Sequence, residues 1–251
     1  GVHTTKDLKI KNLSLKVTAY NNAIKGKDSV TITGGDTTNL FAISTNGDGV
    51  ETSNTDVSSK GKQRGTVTID TTGTLNIYAA GDGIQCAYDF VMEKGEEEGD
   101  SVPALNIYIG AYSSYASSSA STTSYKGIKA KNEINISYGK ISLNSYDDGL
   151  HADYGTSFDN GSSGVGIINI SGGYISTNVY SPSKSSGFGW GGQQSVSGAD
   201  GIHADNTINI TGGTISIDSS YEGIEANFIN VSGGNTYVYA TDDGFNASKK
   251  I

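Results

Sequence analysis

The stretch "ADGIHADNTINITGGTISI", residues 199–217, decides the fold. Apolar and polar residues alternate through "GIHAD", "TINI" and "TISI", and the alternation breaks at Asp205-Asn206 and at Gly212-Gly213. Short alternating runs cut by turn residues predict short strands with one face buried.

The opening word of this stretch recurs along the whole chain. It reads "GVHTT" from Gly1, "AIKGK" from Ala23, "GVETS" from Gly49, "GIQCA" from Gly83 and "GIKAK" from Gly127. It continues as "GLHAD" from Gly149, "GIHAD" from Gly201, "GIEAN" from Gly223 and "GFNAS" from Gly244. The shortest spacings are 22, 22, 22 and 21 residues, and the others, 26, 34, 44 and 52, read as the same unit with insertions. A second word follows as "VTITGG" from Val30, "INISYG" from Ile134, "INISGG" from Ile168, "INITGG" from Ile208 and "INVSGG" from Ile229. A third follows at once as "YISTN", "TISID" and "TYVYA".

Three short strands per unit, none able to bury its own apolar face, predict a repeat that stacks on itself at about 4.8 Å. The expected fold is all-β: a single-stranded right-handed parallel β-helix of about nine rungs, one domain over residues 1–251. Right-handedness extends the bias of parallel crossovers to this coil. Insertions are expected at about 88–104, 113–124, 155–165 and 181–198.

The stacking makes like positions into columns. Val2, Ile24, Val50, Ile84, Ile128, Leu150, Ile202, Ile224 and Phe245 form an apolar one. Thr4, Gly26, Thr52, Cys86, Ala130, Ala152, Ala204, Ala226 and Ala247 form a small-residue one, which makes Cys86 a packed core thiol. Asn135, Asn169, Asn209 and Asn230 are expected to form an outward amide ladder, and their place within strands argues against using their glycosylation sequons.

Composition bounds the function. With 35 Gly, 2 Pro, 35% hydrophobic residues and a net charge of -9, the chain has no basic stripe for tracking phosphates, which excludes nucleic acid. A lone Cys86 excludes a disulfide framework and a CxxC zinc site. No apolar run reaches the roughly 18–20 residues of a membrane span. The chain starts without Met or a signal peptide, so a leader or further repeats are expected ahead of it.

The chemistry is expected where acidic residues recur. The residue before the Gly is Asp48, Asp82, Lys126, Asp148, Asp200, Glu222 and Asp243 in successive units, and Asp147 and Asp242 double the charge. Carboxylates stacked at about 5 Å repel by about 1 kcal/mol in water and a few kcal/mol at an effective dielectric near 20, so a cation between them is expected. Calcium suits such oxygen donors. Three pockets are candidates: Glu222 and Glu225 with Asp242, Asp243 and Asn246; Asp147, Asp148 and Asp153 with Asp200 and Asp205; and Asp200 and Asp205 with Glu222 and Glu225. The bland alternative is that Asp caps a turn and Gly supplies positive φ.

His3, His151 and His203 share one outward phase, two histidines on adjacent rungs being a weaker zinc signal than a three-ligand motif. A sugar contact or a solvated ladder is preferred for His151 and His203. Lys126, Lys129 and Lys131 interrupt the acidic column, either as charge compensation or as a site for polymer carboxylates. Trp190, in the Gly-rich "SSGFGWGGQQ", is a candidate for stacking on a sugar ring.

Together, "DDGLHAD", "ADGIHADNTINITGGTISI", "YEGIEANFINVSGG" and "ATDDGFNAS" resemble the clostridial-type β-helix carbohydrate-binding domain family. The resemblance implies binding of acidic pectic polysaccharide, and of calcium, at the bacterial cell exterior. That family is similar in style to the calcium-dependent β-helix pectate lyases, whose calcium set is matched by Asp242, Asp243, Asn246 and Glu222, with Asn246 in place of the usual carboxylate. The expected function is therefore an extracellular, monomeric binder of polygalacturonate or pectin, with cellulose a further candidate. The alternatives are a calcium-dependent pectate lyase with a lysine base and a calcium-cemented structural or adhesin module.

Overall fold

The computed structural model describes residues 1–93, 102–110, 125–180 and 198–251. Its described residues contain no α-helix, and nearly all strand pairs are parallel. Strands fall into three rows, one for each word of the repeat.

The first row aligns the opening words in register. Val2 pairs with Ile24, Ile24 with Val50, Val50 with Ile84, Ile84 with Ile128, and so on through Leu150, Ile202 and Ile224 to Phe245. The second row holds Asp7–Lys11, Ser29–Gly34, Thr66–Thr71, Phe90–Met92, Glu133–Ile136 and Ile167–Ile170. The long strands Ile202–Ile210 and Ile224–Val231 run through both rows and join them into one 15-stranded sheet. The third row is a separate 8-stranded sheet from Ser14–Ala19 to Asn235–Val238.

Alternation along each strand sends one residue in two to the core. Ile24, Val50, Ile84, Ile128, Leu150, Ile202 and Ile224 are fully buried, as is Cys86, whose thiol pKa is raised by burial. The aliphatic columns of the three rows merge into one continuous core. Outside the core the asparagines bond to one another: Asn169 Nδ2 donates to Asn135 Oδ1 at 2.8 Å, Asn209 to Asn169 at 2.8 Å, and Asn230 to Asn209 at 2.9 Å.

The glycine of the opening word is there for a different reason than a turn. Gly149 and Gly201 do not have positive φ. A Cβ at Gly201 would lie 2.7 Å from Gly223 O, and one at Gly149 would lie 2.5 Å from Gly201 O. Neighbouring repeats approach too closely there for any side chain. The second glycine of the "GG" word does require positive φ, at 80° for Gly173 and 82° for Gly213.

Two excursions leave this frame. Residues 155–165, expected as an insertion, form with Tyr154 an antiparallel hairpin of Tyr154–Ser157 and Ser163–Val165. A second, between Thr52 and Gly65, was not singled out by the sequence, and it carries an antiparallel bridge from Val57 to Gln63. The two meet: Thr55 Oγ1 donates to Asp159 Oδ2 at 3.1 Å, and Tyr88 packs on Phe158 at 4.9 Å between ring centroids. Within the span expected as an insertion at 88–104, Phe90–Met92 is a strand of the second row. The insertion expected at 113–124 lies outside the described residues, as does nearly all of that at 181–198 with its Trp190.

Candidate functional site

The outward column of the first row is polar throughout. It runs His3, Lys25, Glu51, Gln85, Lys129, His151, His203, Glu225 and Asn246, each paired in register with the next. Parallel pairing puts His151 beside His203 although 52 residues separate them, and their ring centroids are 4.9 Å apart.

Beneath this column lies the Asp column, and it is tied to the backbone. Asp48 Oδ1 accepts the Asp82 N–H at 2.9 Å, Asp82 Oδ1 that of Lys126 at 2.8 Å, Asp148 Oδ1 that of Asp200 at 2.8 Å, and Asp200 Oδ1 that of Glu222 at 3.1 Å. Lys126 offers no acceptor to the following repeat, and there Asp147 Oδ1 takes the Asp148 N–H at 3.0 Å. The doubled Asp at 147–148 thus replaces a missing cap. Lys126 also supplies the cation: its Nζ lies 2.6 Å from Asp147 Oδ2 and 2.9 Å from Asp148 Oδ2. Asp147 and Asp148 are therefore joined to Lys126.

The two histidines repeat one geometry. Nδ1 of His151 faces inward to Asp148 Oδ2 at 2.7 Å, and its Nε2 faces Asp153 Oδ1 at 2.8 Å. Nδ1 of His203 faces Asp200 Oδ2 at 3.3 Å, with Glu225 Oε2 at 3.8 Å, and its Nε2 lies 3.5 Å from Asp205 Oδ1. Burial disfavours charge on His203, but the hydrogen bond to Asp200 and the charges of Asp148, Asp200 and Glu225 outweigh it and lift the ring to about 9. Burial works the same way on His151 and is outweighed by the hydrogen bonds to Asp148 and Asp153, which raise its pKa. For Asp148, burial is overcome by the hydrogen bond from His151 and the charges of Lys126 and both histidines, which hold the carboxyl well below the usual range. Burial of Glu225, added to its hydrogen bond with Asp200, lifts it to about 6.

Three sets of donors converge among the described residues: Asp148, His151 and His203; His151, Asp153 and Asp205; and Asp200, His203 and Glu225. Each contains a histidine, so none is an all-oxygen cage of the kind calcium takes. Of the first pocket expected from sequence, Glu222 and Asn246 meet, while the other carboxylates turn elsewhere or to solvent. Glu225 turns to His203, Asn246 Nδ2 donates to Glu222 Oε2 at 2.6 Å, Asp242 accepts from the Tyr221 hydroxyl, and Asp242 and Asp243 are exposed. In the second and third, Asp200 and Asp205 do adjoin Asp148 and Asp153, with the imidazoles between them.

Beside His203 opens a cleft of about 320 Å³ lined by Tyr154, His203, Asp205, Glu225, Asn227 and Ser248. Tyr154 is 62% exposed at its rim, and its backbone N–H is held by Asp205 Oδ2 at 2.8 Å. Asn227 and Ser248 close the opening words "GIEAN" and "GFNAS", at the position that Asp153 and Asp205 hold in their repeats, whereas Tyr154 lies just past its word and carries no repeat signature. Lys129 stands on the same face, its Nζ 3.5 Å from Asp153 Oδ2, while half-buried Lys131 donates its backbone N–H to Cys86 O at 3.3 Å.

A second cleft, of about 370 Å³, includes Lys6, Asp28, Lys60, Lys62, Gln63 and Arg64 in its lining. Arg64, the chain's one arginine, is anchored through Nε to buried Asp28 Oδ2 at 3.2 Å. The third row also carries aromatics: Tyr78 and Tyr108 stack face to face at 4.9 Å and 12°, while Tyr237 is 64% exposed.

A family model described as carbohydrate-binding domain-containing protein matches residues 1–178 and again 156–244. No curated protein and no solved structure shows significant similarity to the chain.

Proposed function

The chain belongs to the family of carbohydrate-binding domain-containing proteins, and from that premise we propose that its saccharide site is the cleft between Tyr154 and Glu225. The observation that carries this reading is an exposed tyrosine ring beside convergent carboxylate, imidazole and amide groups. A ring that stacks on the apolar face of a sugar, with carboxylates and amides for its hydroxyls, is how a concave polar site selects saccharides.

Acidic plant cell-wall polysaccharide, polygalacturonate above all, is the proposed ligand, and the extracellular space its setting. Six carboxylates (Asp147, Asp148, Asp153, Asp200, Asp205 and Glu225) face four cationic groups (Lys126, Lys129, His151 and His203) in this stretch. A polyanion approaching it needs a divalent cation, and calcium shared between the polymer's carboxylates and outward Asp205 or Glu225 would serve, the polymer supplying the remaining oxygens. The fold that presents the column is read as a right-handed parallel β-helix. Supporting this are the three-strand period of the pairing and the handedness bias of parallel crossovers.

A lyase mechanism has less support. A base lysine must be neutral, whereas the charges of Asp148 and Asp147 outweigh the burial of Lys126 and raise its pKa above the ordinary lysine value. No increase in ultraviolet absorbance from unsaturated uronate is expected at high protein loading.

Calorimetric titration of polygalacturonate, with calcium and then with a chelator, tests the binding reading. Calcium-dependent heat that disappears in Tyr154→Ala is expected. Heat that survives chelation and is lost in Arg64→Gln would move the site to the cleft around Arg64. No heat with acidic or neutral polymers at a protein concentration suited to millimolar affinity would overturn the assignment.

A further inference from the structure

We propose that the pair of "HAD" words builds a binding site for one zinc-class divalent ion, with His151 Nε2, Asp153 Oδ1, His203 Nε2 and Asp205 Oδ1 as its donors. The site lies at the outer edge of the two histidines and shares His203 and Asp205 with the proposed saccharide cleft, so it is tested without saccharide.

The two repeats present the same unit, Asp-x-x-His-x-Asp, at 148–153 and 200–205. In each, the inner Asp engages imidazole Nδ1, at 2.7 Å for His151 and 3.3 Å for His203. A carboxylate on Nδ1 keeps a proton there, so that a metal displacing the Nε2 proton meets a correctly aimed lone pair, the carboxylate–histidine–metal arrangement. Asp148 and Asp200 are themselves buried and held by backbone N–H groups of the next repeat, so both rings are aimed from beneath.

The outer carboxylates are prepared in the same way. Asp153 Oδ2 faces Lys129 Nζ at 3.5 Å, and Asp205 Oδ2 accepts the Tyr154 N–H at 2.8 Å. Both leave Oδ1 directed at an Nε2, at 2.8 Å in one repeat and 3.5 Å in the other. Donors about 2.0–2.2 Å from a tetrahedral zinc lie roughly 3.3 Å from one another, so these separations bracket the required edge. The parallel register brings donor atoms of His151, Asp153 and Asp205 to within 4.8 Å of one another, and His203 joins them through Asp205 with its ring centroid 4.9 Å from that of His151.

A bound ion would displace the Nε2 protons that make both rings cationic, and the two imidazoles, then neutral, with two carboxylates balance a divalent charge. Nitrogen donors and four-fold coordination suit zinc, cobalt or nickel, whereas calcium prefers six to eight oxygens. The nearby cations Lys126 and Lys129 bond to Asp147, Asp148 and Asp153 through oxygens other than the four proposed ligand atoms.

Titration of the full chain with zinc chloride in the absence of saccharide tests the site. One ion per chain is expected, with no displacement by excess calcium, and cobalt in its place should give the intense visible absorption of tetrahedral cobalt. His203→Gln and Asp205→Asn, on the solvent side, should each weaken zinc at least tenfold. Asp200→Asn should weaken it by about 10–100-fold through the ring it orients, while His3→Gln in the same column should have no effect. Absence of zinc-dependent heat, a weak octahedral cobalt spectrum, or equal affinity in His203→Gln and Asp205→Asn would each overturn the proposal, whether or not the chain binds polysaccharide.

Discussion

Asp148 Oδ1 accepts the backbone N–H of Asp200 at 2.8 Å, across 52 residues of sequence. The same carboxylate meets Lys126 and His151 through Oδ2. One buried side chain therefore joins three successive repeats. Asp148→Ala leaves a buried lysine and imidazole short of a partner and is expected to cost about 3–5 kcal/mol in urea unfolding. Asp148→Asn keeps the Oδ1 acceptor for Asp200 and should cost clearly less.

Tyr154 separates binding from folding. The ring is 62% exposed, and the residue is held through its backbone, by Asp205 and by its pairing with Val165. Tyr154→Ala should leave the unfolding midpoint within about 0.5 kcal/mol of the parent while weakening polysaccharide binding about tenfold, measured by calorimetry on both proteins.

Asp48 sets a pH dependence away from the proposed sites. Burial, and then the charge of Asp82, lift its carboxyl from 3.8 to about 7. The folded chain holds this proton more tightly than the unfolded chain. Its contribution to stability is therefore full below 3.8, declines as pH rises, and is lost above about 7. Asp48→Asn keeps an acceptor for the Asp82 N–H without a charge and should be more stable than the parent above pH 7, the difference closing in acid. Unfolding curves across that range, with the same gap at both ends, would contradict this assignment.

The asparagine ladder predicts a position effect. Asn169 both donates to Asn135 and accepts from Asn209, whereas the Asn230 carboxamide donates to Asn209 at the ladder's end. At about 0.5–1.5 kcal/mol per hydrogen bond, Asn169→Ala should destabilise the chain more than Asn230→Ala in denaturant titration.

The sequence by itself determined the period, the three rows and the core. Apolar columns such as Ile84, Ile128, Leu150 and Ile202 leave one register in which every inward position is buried, because a slip of one residue would turn them to solvent. It also placed His151, His203 and the acidic residues on one stripe. Only the tertiary structure decided their partners. Whether Asp147 feels a cation or another carboxylate depends on where a lysine ammonium four methylenes from its backbone comes to rest, and Lys126 rests between Asp147 and Asp148. The cleft depends on an irregular excursion that brings Tyr154 against Asp205. Repetition fixes backbone stacking, since each repeat sees the same neighbours. Side-chain rotamers and loop paths answer to contacts made once, and no period in the chain encodes them.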